Sequence, residues 1–396
     1  MTDTLLWSCT LILGLIIVYH HVGYPVLLRY WANRKRQQSL HRHQEEERSD
    51  YPELSIIIPA YNEAEVIAEK LRNLAFLDYP THRFEVRIYD DGSQDDTLSI
   101  IHRTLQEADV KKLRVQVIAN EVNQGKVAVI NQAMRETSTE LVLLSDASAL
   151  ISIDALKIVA RHMRDASVGV VAASYQILTP GSEGEETYWR YQTNIKEMES
   201  VVGSTIGAHG ALYCFRRSLF EELPENAIND DFILPMRIVA QGHRCIYDRD
   251  IVAVELEQAS LTMDHQRRKR IAAGNVQQAL MLTPLLNPKH GATAFNYISG
   301  KFLRVCMPLI LVVFLLCTLL LSLHSWLAMV LLLGQILVYG LASIRALTPG
   351  VPWPKLVNLV HYLVSGHFAN ALGALRYLSG QESGRWQRVK LEAHHD

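Results

Sequence analysis

Acidic residues stand directly or shortly after several apolar runs of the sequence, near the points where buried strands would end. They are Glu63 after the run 54–59, Asp90 and Asp91 after the run 84–89, and Asp146 after the run 141–145. Carboxylates at strand ends can bind a ribose or a base by hydrogen bonds, or hold a divalent cation that neutralises a diphosphate. Any one of them alone would more often be only a turn or a helix N-cap, so the joint placement is what indicates a site.

The elements that would position these acids alternate along the middle of the chain. Short β-branched runs predict strands at 54–59, 84–89, 114–119, 141–145 and 168–173. Amphipathic stretches between them predict helices at 63–74, 96–108, 126–137 and 154–165. Strands joined by single crossover helices form a parallel sheet in a doubly wound α/β fold. Ligands of such folds bind outside the carboxyl ends of the strands, where the acids are expected to converge.

Long uncharged runs flank this predicted domain on both sides. Residues 5–28 contain no Lys, Arg, Asp or Glu, and the runs 305–323 and 325–344 are also uncharged. Each is long enough to cross a hydrocarbon core, which needs roughly 20 residues. A cleavable signal peptide is the competing interpretation of the first run, but the start MTDT lacks a basic segment. Basic residues follow the first run, so the positive-inside rule predicts that the middle of the chain is cytosolic. They are Arg29, Arg34, Lys35 and Arg36.

A last apolar run at 356–375 allows two interpretations. It contains His361, His367 and two asparagines, and a basic tail follows it. A fourth span would place that tail outside, against the positive-inside rule. Either the segment is interfacial or re-entrant, or the rule fails here.

Composition excludes several classes of protein. The formal net charge is -2, from 39 basic and 41 acidic residues, whereas a general nucleic-acid binder usually has a strong basic excess. The five cysteines are scattered without metal-ligand spacing, which indicates reduced, structural cysteines. Asn120 and Val127 flank the GK dipeptide where a P-loop needs Gly and Ser or Thr, and no GxGxxG occurs. Any bound phosphates must therefore be held in another way.

Seven motifs together resemble the membrane-embedded family 2 glycosyltransferases, which include cellulose, chitin, hyaluronan and poly-N-acetylglucosamine synthases. In chain order they are SIIIPAYNE (55–63), DDGS (90–93), NQGK (123–126), SDAS (145–148), GAHGALYCFRR (207–217), NDDF (229–232) and QRRKR (266–270). The resemblance implies a GT-A-type doubly wound, mostly parallel sheet domain with flanking transmembrane helices. It also implies transfer of a sugar, with inversion, from a nucleotide sugar that is usually UDP-linked.

The resemblance assigns roles to individual residues. Asp231 would be the general base, which must take the proton from the acceptor hydroxyl. Its neighbour Asp230 is the alternative base, or a helix N-cap. Asp146 matches the first acid of the DxD motif, which binds a metal ion and the diphosphate. Nucleotide-binding roles fall on Ala60, Tyr61, Asn62, Glu63, Asp90, Asp91, Gly92, Ser93, Lys126 and Arg270.

Two positions depart from the family pattern. Ser148 stands where the second acid of DxD is expected, which weakens the expectation of a divalent cation (Mg²⁺ or Mn²⁺). The QxxRW motif appears as QRRKR, with Lys269 at the Arg position and Arg270 at the Trp position. This basic cluster allows two interpretations, binding of the diphosphate or contact with anionic lipid headgroups.

The domain organisation predicted from these features has five parts. They are a transmembrane anchor (1–33), a cytosolic GT-A domain (50–263), an interfacial segment (264–301), C-terminal transmembrane or interfacial helices (302–380) and a tail (381–396). The predicted location is the inner cell membrane, with a nucleotide-sugar donor, a glycan or lipid-linked acceptor, membrane lipids and possible polysaccharide-export subunits as partners. The alternative function is a catalytically silent, nucleotide-sugar-binding subunit of a polysaccharide assembly complex.

Overall fold

A computed structural model of the chain describes residues 2–39, 51–178, 183–256, 261–348 and 350–380. The helices of the described residues are α1 Thr2–Val18, α2 Tyr24–Ser39, α3 Ile67–Ala75, α4 Thr97–Thr104, α5 Lys126–Glu136, α6 Ala155–His162, α7 Glu183–Val202, α8 Asp230–Ala240, α9 Leu261–Met281, α10 Ala292–Asn296, α11 Leu303–Ser322, α12 Trp326–Leu347 and α13 Lys355–Leu378. The strands are β1 Leu54–Ala60, β2 Phe84–Asp90, β3 Val115–Ala119, β4 Leu141–Ser145, β5 Ala149–Ile151, β6 Val168–Ile177, β7 Leu212–Arg216 and β8 Arg244–Glu255.

The eight strands of the described residues form one sheet in the order β3-β2-β1-β4-β7-β6-β8-β5. Strands β3, β2, β1 and β4 are parallel, as are β6 and β8. The sequence prediction of a mostly parallel α/β sheet is confirmed, and all five predicted strands and all four crossover helices are present. Strand β7 runs antiparallel to both β4 and β6, and β5 runs antiparallel to β8. The second half of the sheet is therefore mixed.

Alternation of apolar residues along β1 places side chains on both faces of the sheet. Leu54, Ile56 and Ile58 pack into a core with α3, α4 and α6, whereas Ile57 packs into a second core with α5 and α8. All seven residues of β1 are buried, as expected for a central strand covered by helices on both faces. The three-layer arrangement brings the N-termini of α5 and α8 to the carboxyl edge of the sheet.

Within the described ranges, three helical segments outside this domain are long and apolar enough to cross a membrane. They are Asp3–Gln37, Ala292–Ser322 and Trp326–Leu347. Many of their Leu, Ile and Val side chains are exposed, which suits contact with lipid. The run 356–375 forms α13 and does not meet the same criteria, and α13 packs closely against α9. A methyl group at Gly373 would stand 2.5 Å from the backbone of Ala272, so this approach depends on glycine.

Direct side-chain contacts join the spanning segments to the sheet domain. The Tyr24 hydroxyl of α2 donates a hydrogen bond of 2.7 Å to Glu199 of α7. Asn296 of α10 donates to the backbone oxygens of Glu199 and Ser204, at 3.1 Å each. These buried polar contacts hold the domain against the helices next to it.

Candidate active site

The loops after β1 and β2 are joined by reciprocal hydrogen bonds. The backbone N–H of Asn62 donates to the Ser93 hydroxyl at 2.9 Å, and Gln94 N–H donates to the Asn62 side chain at 2.8 Å. Asn62 has a φ of 57°, which Asn tolerates better than most residues. Gly92 also has a positive φ, and a Cβ there would lie 2.8 Å from the backbone of Val122. The segments 60–63 and 90–93, predicted to bind the nucleotide, thus form one connected rim.

Asp91 is fully buried beneath the next loop. Its two carboxylate oxygens accept hydrogen bonds from the backbone N–H groups of Gln124 and Gly125, at 2.8–3.1 Å, and from the Asn120 side chain at 3.2 Å. The predicted contact between Asp91 and a nucleoside stays a prediction. What the structure adds is that this carboxylate holds the loop that leads into α5.

Lys126, the first residue of α5, extends toward the carboxyl end of β4. Its Nζ donates to Asp146 Oδ1 at 2.6 Å and lies 3.8 Å from Asp230 Oδ2. Burial by itself would lower the pKa of Lys126, but Asp146, Asp230 and Asp231 together raise it above the ordinary lysine value. The lysine therefore stays protonated and joins residues from two different motifs, NQGK and SDAS.

Asp231 lies at the N-terminus of α8, beside Gly210. Its Oδ2 accepts a hydrogen bond of 3.0 Å from Gly210 N–H, and its backbone oxygen accepts one of 3.1 Å from Ala208. A Cβ at Gly210 would stand 3.4 Å from Asp231 Oδ2, 3.4 Å from Lys126 Nζ and 3.5 Å from Asp146 Oδ2. Asp231 (the predicted base), Asp146 (the predicted diphosphate ligand) and Lys126 thus lie around one point beside Gly210.

Asp230 and Asp231 occupy different environments. Asp230 is 8% exposed, and burial raises the pKa of this carboxyl against the opposing effect of Lys126. Asp231 is half-buried and faces the open space at Gly210. Helix α8 begins at Asp230 with Asn229 as its N-cap residue, so the alternative that Asp230 is the N-cap is wrong. Accessibility favours Asp231 as the group that an acceptor could reach.

The remaining predicted site residues surround this centre at different distances. Ala60 ends β1, and Tyr61 and Glu63 continue the rim; Glu63 is buried and its N–H donates to Thr97 at 2.8 Å. Asp90 is buried, and burial raises the pKa of its carboxyl. Arg270 is exposed on α9, where its charge acts on Asp230. The rest of the QRRKR motif, including Lys269, lies outside the residues whose side chains are described.

Sequence reasoning missed three groups near the crevice: Lys70 and Tyr213, which are buried, and His209, which is half-buried. Lys70 of α3 is fully buried, and its Nζ donates to Ser145 Oγ at 2.6 Å and to the backbone oxygen of Ala149. The Tyr213 hydroxyl has no hydrogen-bond partner in the described part of the chain, and the charges of Asp230, Asp231 and Asp146 act on it. His209 stacks on Tyr175 with ring centroids 3.8 Å apart. A lysine in the apolar stripe of a helix was the available signal for Lys70, whereas the other two depend on tertiary packing.

The donor set for a metal ion is small. In the residues that the structure describes, no group of three or more His, Cys, Asp or Glu side chains is arranged to hold a metal ion. Asp146 Oδ1 binds Lys126, and Asp146 Oδ2 faces the space beside Gly210. Asp230 Oδ2 is buried and lacks a hydrogen-bond partner among the described residues. A divalent cation that arrives with a diphosphate fits this excess of carboxylates, whereas a preformed protein cage does not.

Comparison with known proteins gives matches across the sheet domain and the helices beyond it. Residues 55–224 match the family described as Glycosyl transferase family 2, and residues 141–343 match Glycosyl transferase family group 2. A beta-monoglucosyldiacylglycerol synthase of Trichormus variabilis is 32% identical over 183 residues, which cover 46% of this chain and 36% of that protein. A poly-beta-1,6-N-acetyl-D-glucosamine synthase of Staphylococcus epidermidis is 27% identical over 175 residues, 43% of this chain and 41% of that protein. The matches therefore span well under half the length of these relatives.

A solved structure shares the whole architecture. The mannosyltransferase PcManGT of Pyrobaculum calidifontis, in complex with GDP-Man and Mn²⁺, superposes with a TM-score of 0.69 at 24% identity. The likeness covers 94% of this chain and 100% of that protein, and at this identity it establishes the fold. The family match over more than half of the chain agrees with the seven ordered motifs. The chain belongs to the family 2 glycosyltransferases.

Proposed function

We propose that the chain is an inverting glycosyltransferase that moves a sugar from a nucleotide sugar to a lipid-linked or growing polysaccharide acceptor at the cytosolic face of a membrane. The observation that carries this proposal is the convergence of Asp231, Lys126 and Asp146 within 3.4–3.5 Å of one point at Gly210. Inverting transfer needs a base on one side of the anomeric carbon and stabilisation of a leaving diphosphate on the other. The crevice offers both in adjacent positions.

Each charged group has a task in this reaction. Asp231 accepts the proton of the acceptor hydroxyl while that oxygen bonds to the anomeric carbon and the bond to the diphosphate oxygen breaks. Gly210 N–H orients Asp231 by its 3.0 Å hydrogen bond. Lys126 carries a permanent positive charge, because the three neighbouring carboxylates raise its pKa. That charge is positioned to stabilise the departing diphosphate.

A divalent cation belongs to the proposal as a companion of the donor. Mn²⁺ accompanies GDP-Man in PcManGT. Here Asp146 would hold the cation through Oδ2, which faces the crevice, while Ser148 stands in place of a second acid. The cation would supply additional positive charge to the diphosphate. With one carboxylate as the protein ligand, we expect weak metal binding in the absence of nucleotide.

The proposed topology of the chain in the membrane depends on the three candidate spans of the described residues. With the sheet domain on the cytosolic side after the first span, two further spans return the chain to that side. This order favours the interfacial interpretation of the run 356–375, since α13 packs along α9 instead of forming a fourth candidate span. It also agrees with a basic tail on the cytosolic side, although residues 381–396 lie outside the described part of the chain.

The names of the relatives bear on the acceptor. One is a synthase of a glucosylated diacylglycerol and the other a synthase of a poly-N-acetylglucosamine, so a lipid and a growing glycan are both represented. A crevice that adjoins membrane-spanning helices suits either acceptor. The donor is expected to be UDP-linked from the sequence resemblance.

A donor screen on the full-length protein tests the proposal. UDP- and GDP-sugars are added to the purified protein in neutral-lipid nanodiscs, and the unfolding temperature is measured, because a ligand that binds only the folded state raises it. The stabilising sugar nucleotide is then assayed for metal-supported hydrolysis and transfer. Asp146→Asn should lose the metal-dependent rate, and Asp109→Asn, at an exposed ion pair with Lys112, should retain it. Stabilisation by a nucleotide sugar without any turnover would support the silent-subunit alternative instead.

A further inference from the structure

Three basic side chains lie near the proposed base Asp231, where the sheet domain meets the candidate spans. They are Lys196 of α7, Lys301 and Arg304, here called the Lys301 cluster. Lys301 Nζ lies 4.2 Å from the ring centroid of Phe232, the residue that follows Asp231. Lys196 Nζ donates a hydrogen bond of 2.6 Å to the backbone oxygen of Gly207. The charge of Asp231 acts on both lysines, so the cluster borders the crevice on the side of the base.

The charges of the Lys301 cluster are incompletely paired. Neither Lys301 nor Arg304 makes a hydrogen bond or an ion pair with any described residue. The carboxylates that act on Lys301 are Asp231 and Glu199, and Glu199 already accepts a hydrogen bond of 2.7 Å from Tyr24. Burial raises the pKa of the Glu199 carboxyl, which favours its neutral form. Even with both carboxylates ionised, three cations meet two anions.

The cluster is shielded from bulk water and still open to a ligand. Its three side chains are half-buried. The nitrogen atoms of Lys301 and Arg304 are not among the enclosed atoms that lack a hydrogen-bond partner, so they keep accessible surface. Partly buried charges are screened by salt much less than exposed ones. An anion that reaches these two nitrogens would therefore be bound by charge-assisted hydrogen bonds.

The cluster also lies at the level of lipid headgroups. Arg304 directly precedes the uncharged run 305–323 of the second candidate span. The first span meets the second at this level, since the Tyr19 hydroxyl lies 2.7 Å from Ser299 Oγ. A π-helical turn, a local form frequent at functional sites, occurs here in each span, at Tyr19–Gly23 and Tyr297–Phe302. The base is therefore close to the headgroups of the membrane lipids.

The reaction assigned to Asp231 limits the chemistry of the acceptor. A base is needed where a hydroxyl attacks, because that hydroxyl must lose its proton. A phosphate monoester, with a second pKa of about 6, is largely deprotonated at pH 7 and could attack without a base. A diacylglycerol has the hydroxyl but no negative charge for the Lys301 cluster. A glycerophospholipid whose headgroup ends in a hydroxyl has both groups, a few bonds apart.

We propose that the acceptor is a membrane lipid whose headgroup carries a phosphate next to the attacking hydroxyl, and that Lys301 and Arg304 bind this phosphate. This inference rests on the proposed transfer reaction and names its acceptor. The acceptor hydroxyl gives its proton to Asp231, and its oxygen bonds to the anomeric carbon. The bond from that carbon to the diphosphate oxygen breaks, and the nucleoside diphosphate leaves with the electron pair. The phosphate of the lipid is unchanged and only positions the hydroxyl.

The experiment compares three lipids as acceptors for the full-length protein in phosphatidylcholine nanodiscs. Phosphatidylglycerol offers a hydroxyl and a phosphate, diacylglycerol a hydroxyl alone, and undecaprenyl phosphate a phosphate alone. The donor is the nucleotide sugar that stabilises the protein in the donor screen, with its sugar labelled. Label in the lipid extract measures transfer, and free labelled sugar measures hydrolysis. Phosphatidylglycerol should be glycosylated at least about 10-fold faster than either other lipid, since only it satisfies both the base and the cluster.

Variants of Arg304 test the assigned contact. Arg304→Gln should raise the apparent KM for phosphatidylglycerol about 10-fold, as expected for loss of one charge-assisted hydrogen bond. Its donor affinity should equal that of the wild type, which also shows that the variant is folded. Arg304→Lys keeps the charge and should recover most of the loss. Arg29→Gln is the matched control, because Arg29 is exposed and is the first basic residue after the apolar run 5–28. Arg29→Gln should have the wild-type KM.

Four results would overturn the assignment while leaving the transfer reaction intact. They are equal transfer to diacylglycerol and phosphatidylglycerol, transfer to undecaprenyl phosphate alone, hydrolysis of the donor without transfer to phosphatidylglycerol, and an equal rise of KM in Arg304→Gln and Arg29→Gln. Weaker donor binding in Arg304→Gln would assign the cluster to the donor diphosphate and would equally contradict the proposal. Absence of both hydrolysis and transfer would instead refute the proposed function itself.

Discussion

The two ends of helix α8 carry opposite charges. Asp230 and Asp231 stand at its N-terminus, and His243 and Arg244 follow its C-terminus. Both placements suit the helix dipole, which favours negative groups at the N-terminus and positive groups at the C-terminus. The sign of the charges at either end is therefore no evidence of a ligand.

The two ends of α8 differ in how far the polar side chains there are paired. In the crevice, Asp91 accepts from backbone N–H groups, Asp146 from Lys126 and Asp231 from Gly210, whereas Asp230 Oδ2 and the Tyr213 hydroxyl lack hydrogen-bond partners among the described residues. At the other end, Lys35, His243, Arg244, Lys289 and His290 line a cavity whose wall contains no acid, and two imidazole nitrogens there, His243 Nδ1 and His290 Nε2, lack partners in the described part of the chain. The crevice is thus largely organised before a substrate arrives, as expected for catalysis by preorganised charges. The basic side chains of the cavity are exposed or half-buried, so solvent screens their charges.

The largest expected effect is at Asp231. Asp231→Asn keeps the size of the side chain but removes its ability to accept a proton, so transfer should slow by about 10²-fold or more. Donor affinity should stay close to that of the wild type. Single-turnover transfer and donor binding, measured on the same preparation, separate the two effects.

Asp154→Asn is the matched control, because Asp154 is exposed and makes no side-chain cap to α6. Asp154→Asn should transfer sugar at the wild-type rate. Transfer by Asp231→Asn at the wild-type rate would move the base elsewhere, with buried Asp230 as the next candidate. The crevice would then lose its main functional assignment, although its organisation would stand.

The next effect in size concerns Asp91, whose carboxylate accepts from Gln124, Gly125 and Asn120. Asp91→Asn places an NH₂ group against backbone donors and should cost about 2–3 kcal/mol of unfolding free energy. Weaker donor binding should accompany this loss, because the loop leads directly to Lys126. Denaturant unfolding and donor titration check both. Weaker binding at unchanged stability would show that Asp91 contacts the nucleoside directly, as the sequence resemblance implied.

Local pattern was enough to predict the first half of the fold. The runs at 54–59 and 141–145 match β1 and β4 within one residue, because central parallel strands are continuous apolar runs with few alternatives. The antiparallel strand β7 was missed. Its segment follows the glycine-rich stretch 207–210, and its pairing with β4 and β6 is decided by partners distant in sequence.

Part of the candidate site could be predicted from the sequence, because several of its motifs lie at the ends of strands. Asp90, Asp91 and Asp146 follow that rule, and the parallel topology brings them to one edge. Gly210 and Tyr213 were given no role, since their importance comes from distances between separate motifs. The basic cavity was equally hidden, because Lys35 and Lys289 are separated by most of the chain.

Removal of Lys126, the lysine of the crevice, should have a moderate effect on the free energy of unfolding. Lys126→Met leaves Asp146 and Asp230 facing each other without a cation, and loss of one partner of a buried pair costs several kcal/mol. Both side chains of the Lys126–Asp146 pair keep some exposure, 19% and 34%, so we expect about 2 kcal/mol. The double variant Lys126→Met/Asp146→Asn should recover part of this loss, because it removes a repelling charge. Additive losses in the double variant would contradict the compensation described for the crevice.

The effect that is smallest for a change of one pH unit is a dependence of stability on pH that arises from Lys70. Burial lowers the pKa of Lys70 from 10.5 to about 7 in the folded protein, with Asp146 and Glu255 opposing the shift. Between these values the unfolded chain binds a proton that the folded protein does not, so the free energy of unfolding should rise with pH. One such proton corresponds to about 1.4 kcal/mol per pH unit.

The neutral amine still has hydrogens to donate to Ser145 and Ala149, so the contacts beneath Asp146 can survive deprotonation. Lys70→Met lacks the titrating group, and the difference in unfolding free energy between wild type and variant should therefore change with pH only between about 7 and 10.5. Lys111→Met, at an exposed position, should show no such difference. Parallel pH profiles for the wild type and Lys70→Met would mean that the buried lysine keeps its proton across this range. The negative charge of Asp146 would then be compensated from both sides of the sheet, by Lys126 and by Lys70.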